Sequence, residues 1–177
     1  VELGKWFDEN FTIVEKHRSY ARLSRRQSST PDIPRPAWRL EEHSEKQQTF
    51  AVLLDTSGSM SRGLLAAALG SIASYSEARD VQAIRVIFCD AAVYDQGMMT
   101  PEEIAGAVQV KGRGGTRLQP GIDLLENDPR FPKDAPLLII TDGACDRLNL
   151  RGRSHAYLIP WGKRLPFPPK GPVFRLK

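Results

Sequence analysis

The segment Asp55-Thr56-Ser57-Gly58-Ser59 sets one carboxylate and two hydroxyls at alternate positions, with a glycine that lets the chain turn tightly. A loop of this kind can aim all three side chains at one point. Oxygen donors suit hard cations such as Mg²⁺, which demand near-octahedral geometry and keep several waters. One carboxylate and two neutral hydroxyls leave the ion short of negative charge, so an open position on it favours a carboxylate from another molecule. The competing use of Ser57 or Ser59 is to cap a following helix, as serine commonly does.

Two further stretches bring matching donors. Gly112-Arg113-Gly114-Gly115-Thr116 is a glycine-rich turn that delivers one hydroxyl, and Thr141-Asp142-Gly143 ends a second apolar run in a carboxylate. Positioning falls to the runs themselves. Phe50-Ala51-Val52-Leu53-Leu54 and Leu137-Leu138-Ile139-Ile140 are short for helices and suit strands buried on both faces, as in a parallel sheet. Asp55 and Asp142 then lie at C-terminal strand ends, where open α/β sheets bind ligands in the crevice between connections that run to opposite faces. With those ends side by side, Asp55, Ser57, Ser59, Thr116 and Asp142 gather at one place.

This set resembles the metal-ion-dependent adhesion site of von Willebrand factor A (VWA) domains: Asp-x-Ser-x-Ser at 55 to 59, the threonine at 116 and the aspartate at 142, all in order, within residues 49 to 161. The resemblance implies an α/β fold, a Rossmann-like doubly wound and mostly parallel sheet with helices on both faces. It also implies Mg²⁺ (or Mn²⁺ or Ca²⁺) held by Ser57, Ser59 and Thr116, with Asp55 and Asp142 helping directly or through water. A protein partner's Asp or Glu would fill the remaining position. Arg117 departs from the pattern, in which a small polar or acidic residue often follows the threonine; it is a candidate for a charge-assisted contact to the partner's carboxylate.

More narrowly, Ser24-Arg25-Arg26 before a proline-containing linker, Phe88-Cys89-Asp90, and Pro160-Trp161-Gly162-Lys163-Arg164-Leu165-Pro166-Phe167 resemble the VWA-like C-terminal domain of bacterial proteins that carry a predicted metallopeptidase domain ahead of it. That kinship implies an adaptor role beside a MoxR-type AAA+ ATPase.

Catalytic motifs are missing from this stretch of chain. Zinc peptidases show His-Glu-x-x-His, whereas His17, His43 and His155 are far apart in sequence. Ser57 and Ser59 lack an evident histidine base, and no glycine precedes the Lys-Ser/Thr pair of a P-loop. The expectation is a binding module and not an enzyme. The alternatives are a part of a metal-dependent hydrolase or peptidase whose catalytic domain lies outside this chain, and a basic nucleic-acid-binding domain.

The 177 residues, 41% hydrophobic and 26% charged, suit one domain with a substantial core. No apolar run approaches the ~18 to 20 residues that span a bilayer, and the start at Val1 suggests a piece of a longer protein. Two cysteines, Cys89 and Cys145, near predicted strand ends fit buried thiols in a reduced, cytoplasmic protein better than a disulfide. The net charge of +4 is uneven: from Arg147 to Lys177 there are eight basic residues and no acidic one. With prolines at 160, 166, 168, 169 and 172, this segment reads as a solvated tail before it reads as a nucleic-acid surface.

In order, residues 1 to 48 read as an N-terminal helix and a basic linker, 49 to 161 as the VWA-like domain and 162 to 177 as the tail. Leu3, Phe7, Phe11 and Val14 predict an amphipathic helix over 2 to 15, widened by Trp6 and Ile13. Seven basic residues and one acid between Lys16 and Arg39, with Pro31, Pro34 and Pro36, predict extended linker. Helices follow at 63 to 76, from Pro101 to about Val108 and at 118 to 126, the second opened by a Thr100–Glu103 capping box. Strands are expected at 83 to 89 and 156 to 159, with a short antiparallel edge strand at 92 to 95. Only eleven residues, Gly143 to Arg153, join the last two parallel strands. That is minimal for a crossover, so the final helix of larger VWA domains is missing and either Leu3 to Val14 or Pro166 to Leu176 covers its place.

Overall fold

Seven consecutive buried residues, Thr49–Asp55, form the strand around which the sheet is built, β3. In the computed structural model, which describes residues 2–11, 16–19, 37–40, 49–107 and 115–176, the chain divides into two compact units. One comprises Val1–Phe11 with Gln48–Lys177 and the other Thr12–Gln47. The larger unit holds α1 (Glu2–Asn10), β3, α2 (Arg62–Glu77), β4 (Ala83–Cys89), β5 (Val93–Met99), α3 (Pro101–Gly106), α4 (Gln119–Asn127), β6 (Leu137–Ile140), β7 (His155–Pro160) and β8 (Val173–Leu176). The smaller unit contains an antiparallel pair, β1 (Lys16–Ser19) and β2 (Ala37–Leu40).

The six-stranded sheet runs β5-β4-β3-β6-β7-β8. All pairings are parallel except β4 with β5. Chain order therefore leaves β3 toward β4 on one side and returns through β6 on the other. The switch point falls between β3 and β6, whose ends carry Asp55 and lead into Asp142.

Side-chain alternation along the central strands divides the core. Phe50, Val52, Leu54, Leu138 and Ile140 face one layer with Phe7 of α1, Leu65, Leu69 and Ile72 of α2 and Ile104 of α3. Ala51, Leu53, Leu137 and Ile139 face the other with Leu118, Ile122 and Leu125 at α4. Gly121 permits the close seat of α4, because a Cβ there would come within 2.6 Å of Leu53 and 2.5 Å of the Cys89 sulfur.

Helices thus cover both faces, but the second face carries α4 alone among the described residues. As the short crossover predicts, residues 141–154 contain no helix. The loop itself supplies Cys145 and Leu148, and Leu165 and Phe167 pack in from beyond β7. Of the two candidates for the vacated place, the later segment fills it. The α1 helix lies on the opposite face, where Trp6, Phe7 and Phe11 meet Phe50 edge-on or tilted. Arg79 locks α1 down by bonding Gly4 O and Asp8.

Several boundaries shift. The first helix stops at Asn10, and Ile13 and Val14 lie outside the described residues. Residues 16 to 39 are not linker throughout, since β1 and β2 pair at both ends of the stretch. The edge strand β5 extends to Met99, and α3 ends at Gly106, with Val108 and Gly112 to Gly114 outside the described residues. The expectation of a solvated tail is corrected: Val173–Leu176 pairs along β7 and buries Phe174. Proline withholds a donor but keeps its carbonyl, and Tyr157 N–H donates to Pro172 O at 2.9 Å. Such a strand is tolerated at a sheet edge. Gly171 allows the approach, because a Cβ there would lie 2.1 Å from His155 O.

Phe7 is fully buried and stacks on Tyr75 at 5.5 Å. Replacing it with alanine should cost about 3–5 kcal/mol of stability, as large aromatic truncations in cores do. Urea unfolding at constant m-value measures this, and a loss under ~1 kcal/mol would show that α1 is dispensable to the core.

Candidate functional site

Asp55 sits at the end of β3 with no exposed surface. A buried carboxylate needs partners, and its neighbours supply them. Ser57 N–H donates to Oδ1 at 2.9 Å and the Thr141 hydroxyl donates to Oδ2 at 2.8 Å. The second bond follows from register: Leu54 pairs with Ile140, so the next residues on both strands, Asp55 and Thr141, stand side by side. Burial still pushes the Asp55 carboxyl above its usual range; the Ser57 and Thr141 bonds oppose that, and the nearby Asp142 charge adds to it. With its folded pKa raised, ionised Asp55 costs stability at neutral pH, and the cost disappears as pH falls through that pKa.

The loop turns immediately. Thr56 points toward β4, its N–H and hydroxyl both donating to Cys89 O, at 2.8 and 3.2 Å. Ser57 and Ser59 turn toward each other, with their Oγ atoms 3.1 Å apart. Neither caps α2. Ser61 does, accepting from Leu64 N–H at 3.2 Å. The capping use of Ser57 and Ser59 is thereby removed.

Asp142 is buried beyond β6. Its Oδ1 accepts from Ala144 N–H at 3.0 Å, its Oδ2 accepts no hydrogen bond, and Lys163 Nζ stands 3.5 Å from Oδ2. Burial pushes this carboxyl up, but the Ala144 amide, the Ser59 hydroxyl and the Lys163 ammonium outweigh it and hold Asp142 below the usual carboxylate range. The Ser59 interaction ties Asp142 to the Asp55 loop. Gly143, at φ 86°, makes the turn that follows.

Four of the five expected donors, Asp55, Ser57, Ser59 and Asp142, are therefore joined by hydrogen bonds or direct electrostatic contact at the β3–β6 switch point. Thr116 is half-buried and lies outside that hydrogen-bonded set among the described residues. Its neighbour Arg117 donates its backbone N–H to Asp90 O at 2.8 Å, which brings the segment to the end of β4, beside β3. The Arg117 side chain is exposed.

Three further polar residues stand in or near this set without having been expected there. Thr141 holds Asp55, and the signal was a hydroxyl closing an apolar strand. Asp90 is 2% exposed, with Oδ1 on Ala92 N–H and a buried Oδ2 without a partner. Lys163 gave no local signal, being remote from Asp142 in the chain.

The donor set fits a small hard cation. Ligands at 2.0–2.1 Å in an octahedron put neighbouring oxygens about 3 Å apart, which the Ser57–Ser59 spacing matches. Asp142 Oδ2 is a buried carboxylate oxygen with hydrogen-bonding capacity unspent. Among the described residues no group of three or more His, Cys, Asp or Glu side chains is disposed to hold a metal. Any ion here would rely on hydroxyls.

The family described as VWA-like domain (DUF2201) matches residues 50–151. Among solved structures, the chain is similar to an aerotolerance-related membrane protein from Bacteroides fragilis, determined with multiple mutations to serines. The TM-score is 0.53 at 12% identity, over 73% of this chain and 91% of that one. Identity that low speaks to the fold alone. No curated protein matches the chain. Among the described residues, no helix is long and apolar enough to cross a membrane.

Both cysteines are buried free thiols close to these carboxylates. Burial, then the charges of Asp55 and Asp90, pushes Cys89 up to about 12. Burial, with Asp55 and Asp142 adding to it, pushes Cys145 up to about 11. Thiolate is the reactive form. Ellman's reagent at about pH 8 should therefore leave both thiols unmodified in the folded protein and titrate both after unfolding in urea; fast labelling of the native state would contradict this burial.

Proposed function

The chain belongs to the VWA-like domain family, and on that premise we propose that it is a divalent-metal-dependent protein-binding module. VWA-like domains commonly mediate protein interactions. The observation that carries the metal reading is the convergence of two buried carboxylates and a 3.1 Å hydroxyl pair at the switch point of the sheet. Ser57 and Ser59 would hold Mg²⁺ or a similar ion directly, with Thr116 completing the hydroxyl set. Asp55 and Asp142 would support it directly or through water.

When bound, the ion supplies an electrophilic position that an aspartate or glutamate of a partner fills. The chain's own residues do the rest. Thr141 and the Ser57 amide orient Asp55, the Ala144 amide orients Asp142, and the tight loop presents both hydroxyls on one side. Arg117, exposed beside Thr116, would add a second, charge-assisted contact to the incoming carboxylate. An adaptor role in a bacterial assembly, beside a MoxR-type AAA+ ATPase, is the setting this reading favours.

Calorimetric titration with Mg²⁺ or Mn²⁺ should show one site per chain. Asp55→Ala, with unchanged circular dichroism, should weaken it at least ~10-fold, about 1.4 kcal/mol. Equal affinity in both proteins would sink the site assignment. Capture of the partner should fail in EDTA and return with magnesium, whereas a nucleic-acid binder would respond to salt and ignore the chelator. Arg117→Ala should reduce partner affinity by roughly 2- to 10-fold, the range for a charge-assisted contact at an exposed position. Metal affinity should hardly change, and parallel loss of both would remove Arg117 from the partner-binding role.

A further inference from the structure

Of the four carboxylate oxygens on Asp55 and Asp142, three accept hydrogen bonds from described residues, and the fourth, Asp142 Oδ2, faces the Lys163 ammonium. Lys163 is half-exposed, yet its backbone is fixed on both sides. Its N–H donates to Pro160 O at 3.1 Å, closing a turn in which Gly162 takes φ 81°. Trp161 N–H, within the same turn, donates to Leu176 O at 2.7 Å and so ties it to β8. On the other side, the Arg164 carbonyl lies flat against Gly143, where a Cβ would come within 2.3 Å of it. These contacts deliver the lysine to the residue that leads out of the Asp142 loop.

We propose that Lys163 is a tethered cation that competes with the divalent ion for Asp142 and thereby sets the metal affinity of the site. The inference rests on the metal reading above and adds a regulator to it. Without metal, the ammonium partly neutralises a buried carboxylate whose other contacts, the Ala144 amide and the Ser59 hydroxyl, carry no formal charge. With an ion seated between the serine hydroxyls and Asp142, the two positive charges repel at short range. The lysine side chain is open enough to swing into solvent, so the exchange needs no backbone movement. The carboxylate is buried but the ammonium is half-exposed, so water screens the lysine and competes for it, which makes the competition reversible.

The test is calorimetric titration of Mg²⁺ and Mn²⁺ into wild type, Lys163→Met, Lys163→Arg and Lys170→Met. Lys163→Met should bind about 3- to 10-fold tighter, from loss of the competing pair and of the repulsion. Lys163→Arg, which keeps the charge, and Lys170→Met, which removes a charge elsewhere on the same segment, should stay near wild type. In chelator, Lys163→Met should melt below wild type, and saturating magnesium should close the gap. Unchanged or weaker binding by Lys163→Met, or an equal gain in Lys170→Met, overturns the competition and leaves the metal site standing. Absence of binding in both wild type and Lys163→Met overturns the metal reading itself, and the competition with it.

Discussion

Burying one carboxylate at the end of a five-residue apolar run is the constraint that the sheet around it answers. Asp55 is shielded from water by the same layers that make β3 a stable centre for the sheet, and an ionised group there is costly unless hydrogen-bonded. Its two bonds come from different places: Ser57 N–H from the loop's own turn, and the Thr141 hydroxyl from the neighbouring strand. The second requires β3 and β6 to be parallel, adjacent and in the register that sets Leu54 beside Ile140. A slip of one residue would swing Thr141 to the other face. The compensation is incomplete, because the Asp55 carboxyl remains above its usual range, and that residual demand for positive charge is what a cation at this position would meet.

The two faces of the sheet are closed by different means, and the difference shapes the rim of the site. One face is closed by three helices and an aromatic cluster in which Phe7 and Phe50 meet edge-on at 5.3 Å. Among the described residues the other has α4 and then loops alone, because the β6–β7 connection is too short to make a helix. Glycine lets a loop backbone approach closely, and two approaches here use it. Gly143 lies against the Arg164 carbonyl and Gly171 against the His155 carbonyl. The shortened crossover thus leaves room for a basic segment from beyond β7 to reach the Asp142 loop. A helix on that face would compete for the place that Leu165 and Phe167 now occupy.

What was legible in the sequence was what local physics dictates. Five apolar residues ending in aspartate read as a central strand, and they are one. The Thr100–Glu103 capping box and Pro101 read as a helix start, and both reciprocal bonds form, at 3.3 and 2.8 Å. The convergence of Asp55, Ser57, Ser59 and Asp142 followed from placing two strand ends together. Illegible were the features decided by distant partners. Val173-Phe174-Arg175-Leu176 is a strand only because β7 offers it an edge, and five nearby prolines argued locally against it. Lys16–Ser19 and Ala37–Leu40 are four-residue strands amid basic, proline-containing chain, with no periodicity long enough to show. Lys163 joins Asp142 through a turn, a glycine seam and a sheet edge, none of which either residue announces.

The choice of donors bears on whether such a site would retain its ion for itself or share it. A cation cage that serves only its own protein satisfies the ion with carboxylates, as the calcium-binding loops of helix–loop–helix proteins do. Here the elements at the switch point offer two carboxylates, one already divided between its loop amide and Lys163, and otherwise neutral hydroxyls. Adding acid would be easy at Ser59, which is exposed, but would saturate the ion and extinguish its attraction for an outside carboxylate. Weak neutralisation is therefore the property that would make a metal site here a recognition site, since a complex with an outside carboxylate would hold the ion better than the free domain would. Under that logic the lysine and the hydroxyls would work in the same direction, both leaving a bound ion incompletely satisfied until an outside carboxylate reached it.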